Sequence, residues 1–224
     1  MRTGLRRFIG SAPPQRASAA VVERCELCGD ACGPEGTVAR PGHGHVADLE
    51  GRSIRCVCRP CWLLFTRRGA AGGRYQTVPD RFVHVPEPQL TAVQWDALQI
   101  PVRIAFLFQH SAADDGDPLE WAAFYPSPAG ATQSLLALDS WAEVVAENPV
   151  FGEAEPDVEA VLVQRPERDA GFEAFVVPIT ACYELVARVR MSWKGFDGGD
   201  VAREEIAGFF AALRERAREP AGHE

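Results

Sequence analysis

Nowhere in these 224 residues is there an apolar run approaching the roughly 18–20 residues that a membrane-crossing helix needs. The chain also has no Gly-x-Ser-x-Gly elbow, no dinucleotide-binding glycine fingerprint and no Gly-Lys-Ser/Thr phosphate loop. The commonest signatures of an acyl hydrolase, a nicotinamide enzyme and a nucleotide hydrolase are therefore absent. Lysine is nearly missing too: Lys194 stands alone among 23 basic residues, a bias that fits a GC-rich genome and carries no mechanism. An even set of cysteines spread along the chain, the mark of a disulfide framework, is also lacking.

What is present is ordinary for a globular protein, with 46% hydrophobic and 24% charged residues. A chain of this length buries enough core to fold without disulfides. The net charge of −8 divides unevenly. Residues 1–84 carry 13 Arg against 7 acids (+6), and the rest carry 10 basic residues against 24 acids (−14). A basic head admits an anionic partner, but arginines solvating a small module account for it equally well, and nucleic acid is not the expected partner. Arg2 to Arg7 followed by Phe8-Ile9 superficially looks like a twin-arginine leader, but Ser11-Ala12-Pro13-Pro14-Gln15-Arg16 interrupts the apolar stretch. The expectation is a cytoplasmic protein with a flexible arm over residues 1–21.

There are seven cysteines, and six of them fall between residues 25 and 61. An odd, clustered set points to metal binding. Cys25-Glu26-Leu27-Cys28-Gly29 pairs with Cys58-Arg59-Pro60-Cys61. Two thiolates separated by two residues turn back on one ion through a tight knuckle, and Gly29 tolerates the positive φ that such a turn requires. Two knuckles supply four tetrahedral sulfurs, the donor set of structural zinc. Between them, His43 to Cys58 reads as a hairpin turning at Glu50-Gly51. The register then sets Ala47 opposite Ile54, His45 opposite Cys56 and His43 opposite Cys58. Alternation puts His45, Ala47, Ile54, Cys56 and Cys58 on one face, and Val46, Asp48, Ser53 and Arg55 on the other. His45 and Cys56 are the ambiguous pair: substitutes for a knuckle cysteine, second-layer donors to a ligand sulfur, or a packed cross-strand pair. His43 is expected to face solvent or to be weakly packed, and Cys32 to be a spare thiol.

The rest of the chain reads as an α+β domain over residues 91–218, joined by an extended linker (69–90) to the cysteine module (22–68) and followed by a short tail (219–224). Thr91 caps a helix running to Leu98. Strands are expected over 101–108, 121–125, 158–164 and 172–177, and helices over 139–147, 179–193 and 201–218. Turns fall at Ala112 to Pro118 and Pro166 to Gly171. The order suggests an antiparallel sheet with helices on one face. Cys182 falls in the apolar stripe of its helix and reads as a packing residue. Glu153, Glu155, Asp157 and Glu159 read as a solvated acidic rim. Ser127-Pro-Ala-Gly130 is a weak anion cradle, and the four tryptophans 95, 121, 141 and 193 read as core. No residue is assigned a catalytic role.

Knuckle, hairpin, second knuckle and a following helix is the order of a treble-clef zinc finger, which residues 22–68 resemble. Trp62 to Arg68 supplies neither the His nor the Asn that treble-clef nucleases place there. The 29-residue interval between Cys28 and Cys58 is also similar to that of rubredoxins, which would make the metal iron and the protein an electron carrier. The aromatic residues that rubredoxins place between their knuckles are missing, and Trp62 stands where Gly is usual. Over residues 22–216 the chain resembles a poorly characterised family of actinobacterial proteins. The resemblance lies in Cys25-Glu-Leu-Cys28-Gly29, His45-Val-Ala-Asp48-Leu49, Cys56-Val-Cys58-Arg-Pro-Cys61, Trp95 to Val102, Phe124 to Thr132, Pro156 to Ala160, Cys182 to Leu185, and Trp193 to Gly199. Members of that family tend to be encoded beside uptake [NiFe]-hydrogenases. The resemblance implies an accessory role, with hydrogenase subunits or assembly factors as protein partners.

Overall fold

The structure is a computed structural model that describes residues 23–32, 43–67, 69–111, 119–134, 139–165, 171–195 and 198–220. The arm expected over 1–21, the turn at 112–118, most of the turn at 166–171 and the end of the tail lie outside the described residues. No described helix is long and apolar enough to cross a membrane.

Two antiparallel sheets form. The smaller runs β2 (Ser53–Cys58), β1 (His43–Asp48), β3 (Tyr75–Thr77). Its hairpin has the register read from sequence, with His43 opposite Cys58, His45 opposite Cys56 and Ala47 opposite Ile54. Asp48 holds the turn. Its buried carboxylate accepts the Gly51 N–H at 3.0 Å, Arg55 Nε at 3.1 Å and Arg74 Nε at 3.1 Å. The Arg74 guanidinium, followed by the Gly51 amide, holds this carboxyl far below the usual range despite its burial. After β2 the chain enters α1 (Arg59–Leu64) directly.

The larger sheet has the order β4 (Val83–Val85), β9 (Glu173–Pro178), β8 (Glu159–Gln164), β5 (Ile104–His110), β6 (Glu120–Ser127), β7 (Gly130–Ser134). Helices cover both of its faces, contrary to the one-faced arrangement expected from element order. On one face Phe106, Leu162 and Phe175 pack against α5 (Ile179–Ser192) and α6 (Gly199–Arg216). On the other, Leu107, Val161 and Val176 meet Trp95 of α2 (Ala92–Ala97), Trp141 of α3 (Asp139–Glu147) and Phe151 of α4 (Pro149–Gly152). The physical reason is the composition of the central strands. Every position of β8 and β9 is buried, as a near-continuous apolar strand demands when neither face meets water. Thr91 caps α2 as expected, receiving the Gln94 N–H at 3.2 Å while Gln94 Oε1 accepts the Thr91 N–H at 2.9 Å.

The stretch 69–90, expected as an extended linker, supplies an edge strand to each sheet, β3 to the small one and β4 to the large one. Between these strands Val78 and Phe82 sink into the α5–α6 core together with Ala47 of the hairpin. The two sheets are thus seamed by shared apolar contacts and by charge. Of the acidic quartet expected as a solvated rim, Glu153 is exposed and Glu155 and Asp157 are half-buried, but Glu159 is only 2% exposed and receives both Nε (2.9 Å) and Nη2 (2.7 Å) of Arg81. The expectation failed at that residue because position 159 opens β8 with its side chain inward, and the counter-charge comes from a residue 78 positions earlier.

Glu173 of β9 ties three elements together. It accepts Arg214 of α6 at 2.6 Å through each oxygen, pairs with His84 of β4 at 2.7 Å, and receives Gln164 of β8. Burial pushes its pKa up, but Arg214, Gln164 and His84 together bring it below the usual value. A depressed folded-state pKa means stabilisation that is complete above the ordinary glutamate range of about pH 4 and lost as pH falls through the lower folded value. Glu173→Gln is expected to cost about 2 kcal/mol at neutral pH, the worth of charge-assisted hydrogen bonds. It should also flatten the acid side of the melting-temperature profile. A profile with the wild-type acid slope would show that Glu173 is not the group responsible.

Candidate metal centre

The first knuckle begins where Cys25 N–H donates to Asp30 O at 2.8 Å. Residues 26–28 turn, and Gly29 closes the loop with φ at +79°, its N–H donating to Cys25 O at 2.9 Å. This is the left-handed conformation for which the sequence reserved a glycine. The Cys28 N–H points at Cys25 Sγ, 3.5 Å away. Glu26 clips the knuckle to the free edge of β2: its N–H donates to Cys56 O at 2.9 Å and its carboxylate accepts the Cys56 N–H.

The second knuckle is built differently, by a strand running straight into a helix. Cys58 is the last residue of β2 and the N-cap of α1. Pro60 falls in the first helical turn, where its missing N–H costs nothing, and Cys61 is buried one turn on. The fit of α1 against β1 depends on Gly44, because a Cβ there would come within 2.5 Å of Trp62 Cδ1. Trp62 is held by its Nε1 donating to Val78 O at 3.2 Å and by the Arg59 guanidinium 4.0 Å over its ring.

The two knuckles converge. Cys28 Sγ lies 3.7 Å from Cys58 Sγ, and the sulfurs of Cys25, Cys28, Cys58 and Cys61 all lie within 4.8 Å of one another. A tetrahedron with metal–sulfur bonds of about 2.3 Å has edges of about 3.8 Å, so the spacing is that of one four-sulfur site. This group of four can hold a metal ion.

Electrostatics agree. Burial pushes the Cys25 thiol up, but the backbone N–H groups of Cys28, Cys58 and Leu27 outweigh it and bring the pKa down to about 6. A thiolate is therefore present at neutral pH before any ion arrives. Cys61 is driven strongly the other way, by burial first and then by the sulfurs of Cys58, Cys28 and Cys25. Four thiolates this close do not ionise together unless a cation neutralises them.

Among the described residues, Cys32, Val46 and Val57 are the other buried side chains around the four sulfurs, with Leu27, Cys56, Trp62, Phe65 and Tyr75 partly buried against them. Burying a large apolar side chain fully contributes about 2–3 kcal/mol, against roughly 1–2 kcal/mol of backbone entropy for each residue ordered. Packing of Ala47 and Val78 against the larger domain adds to this small core.

His45 and Cys56, expected as substitutes for a knuckle cysteine or as donors beside one, join a separate group with His43. Cys58 keeps its expected place opposite His43 at the end of β2, and both Cys56 and Cys58 pack with Val46 and Val57. Cys56 also lines the cleft towards α5 and α6. His43 is half-buried, which fits the weakly packed of its two expected settings. Cys32 is buried beside Cys56, its pKa raised chiefly by burial. Cys182 is fully buried in the α5–α6 core, as its place in the helical stripe implied. The Ser127–Gly130 loop is the β6–β7 hairpin tip, where Ser127 Oγ accepts the Ala129 N–H at 3.2 Å while donating to Gly130 O at 3.0 Å.

No curated protein and no solved structure matches the chain. Residues 24–217, which take in both the four-cysteine group and the whole of the larger sheet, match the model of a family of unknown function, DUF5947, and the chain belongs to that family.

Proposed function

We propose that the protein is a zinc-binding accessory or adaptor, in which the ion at Cys25, Cys28, Cys58 and Cys61 locks a treble-clef-like module against an α+β domain. The observation carrying this reading is the convergence of four sulfurs within 4.8 Å, with three of the four cysteines buried. A closed four-thiolate shell leaves no open coordination position, so such an ion supports structure and does not activate a substrate. The helix that follows the second knuckle supports the treble-clef comparison. The client is proposed to be a [NiFe]-hydrogenase under assembly or its assembly factors, acting in the cytoplasm. That part rests on the family resemblance of the motifs alone.

One feature favours a second reading. Cys28 is exposed, and a sulfur open to solvent is a path for electrons if the ion is iron, as in a rubredoxin-like carrier. Protein purified from its native host without air distinguishes the two. Zinc gives a colourless protein with one zinc per four-cysteine site, whereas four-thiolate iron gives strong visible absorption that bleaches on reduction. Recovery of hydrogenase subunits or their assembly factors in the same preparation supports the accessory role. Their absence from native preparations that retain the metal would count against that client.

A further inference from the structure

The group outside the four-cysteine centre is harder to explain as packing. His43 and His45 lie on the same face of β1, two residues apart, and His45 is paired across the hairpin with Cys56. Their rings meet edge to face with centroids 5.2 Å apart, and one ligand atom from each of His43, His45 and Cys56 lies within 4.8 Å of the others. The Glu23 carboxylate lies at the rim of this group, 3.7 Å from His43 Nδ1 and 3.9 Å from Cys56 Sγ. The ligand atoms of His43, His45 and Cys56 are close enough to converge on one ion.

We propose that His43, His45 and Cys56 form a second metal site, separate from the four-cysteine centre, that takes an exchangeable divalent transition ion, with Glu23 as a fourth donor. Two imidazoles and one thiolate exclude calcium and magnesium, which demand oxygen ligands, and suit zinc, cobalt, nickel or copper. Access marks the difference from the closed centre. His43, His45 and Cys56 line a cleft of about 1360 Å³ between the module and the α5–α6 layer, whose far wall carries Tyr183, Glu184 and Arg188. The Glu23 side chain is 62% exposed, so the fourth position is held by a donor free to move aside. Three fixed ligands with one replaceable position is the arrangement of an ion that binds or delivers something.

The charge states suit this. Burial, followed by the neighbouring His43, pushes the pKa of His45 down, leaving the neutral imidazole that a metal needs. The proposal does not rest on the accessory role, nor on whether the four-cysteine ion is zinc or iron.

Cobalt titration of wild-type protein already holding one equivalent of zinc is the test. A second equivalent should bind with the charge-transfer band of a single cobalt–thiolate bond. A chelator should then remove it while the first zinc remains. His43→Ala/His45→Ala/Cys56→Ser should hold one metal per chain in place of two and keep the secondary-structure signal of the parent. Saturation of the wild type at one ion, or a second cobalt with no thiolate band, overturns the proposal. The wild-type titration decides the matter even if the triple variant fails to fold.

Discussion

Replacing Cys25 and Cys58 together by serine abolishes stoichiometric metal at the four-cysteine site and unfolds residues 22–68, while the six-stranded sheet stays folded. Each knuckle loses one sulfur, leaving Cys28 and Cys61 as a two-ligand remnant. Structural zinc contributes about 10–16 kcal/mol to folding in small zinc-binding peptides. Among the described residues, the module has Val46 and Val57 buried around the sulfurs, with Leu27, Trp62, Phe65 and Tyr75 partly buried, to set against that loss. The larger domain is in a different position. Its two apolar layers flank strands buried at every position of β8 and β9, and no ligand cysteine contributes to them. Metal content after chelator removal of any ion at the cleft, together with hydrogen exchange of the β1–β2 amides, measures both halves of this outcome. Protection of the hairpin unchanged from wild type would show that the crosslink is dispensable.

Arg81→Met is expected to destabilise the larger domain by about 3 kcal/mol, at the low end for breaking a buried ion pair because water reaches the arginine. Arg81 donates to both oxygens of Glu159 and to Glu153 O at 2.9 Å. Once it is gone, Glu159 keeps only the Glu155 N–H at 2.9 Å, while its charge remains out of water. For a chain of this size the loss lowers the melting temperature by about 6–12 °C. Arg81→Met combined with Glu159→Gln should recover most of the loss, since a neutral amide still accepts the Glu155 N–H and leaves no buried charge. If the single variant melts within about 1 °C of wild type, the pair is not the seam described here.

Local signals were legible in the sequence in proportion to how local they are. The hairpin register followed from Glu50-Gly51 and the period of two, and the Thr91 cap from a threonine ahead of Gln94. The boundaries of α3 and α5 followed from Asn148-Pro149 and from the apolar stripe through Cys182. β3 and β4 escaped because three residues carry no periodicity, and β7 because Gly-Ala-Thr-Gln-Ser contains a single β-branched residue. The apolar runs Ala160-Val-Leu-Val163 and Ala174-Phe-Val-Val177 did carry the sign of burial on both faces, and helices on both sides were implied by them. Glu159 was unreadable as a buried acid, since its arginine comes from 78 positions away, and for Asp48 the hairpin placed Arg55 on its face but could not supply Arg74, 26 positions on.

At the site, cysteine spacing was sufficient for the four sulfurs, because a two-residue knuckle is itself a local object. The second group was half visible. His-x-His facing Cys-x-Cys across a hairpin places His43, His45 and Cys56 on one surface by alternation alone. What alternation could not supply is Glu23, which arrives from the other side of the first knuckle.

X-ray absorption at the metal edge, on wild-type protein loaded with a single equivalent of zinc, decides whether the two knuckles share one ion. A first shell of four sulfurs at about 2.3 Å is expected. A shell dominated by nitrogen or oxygen neighbours would contradict it, because the two knuckles would then not share one ion.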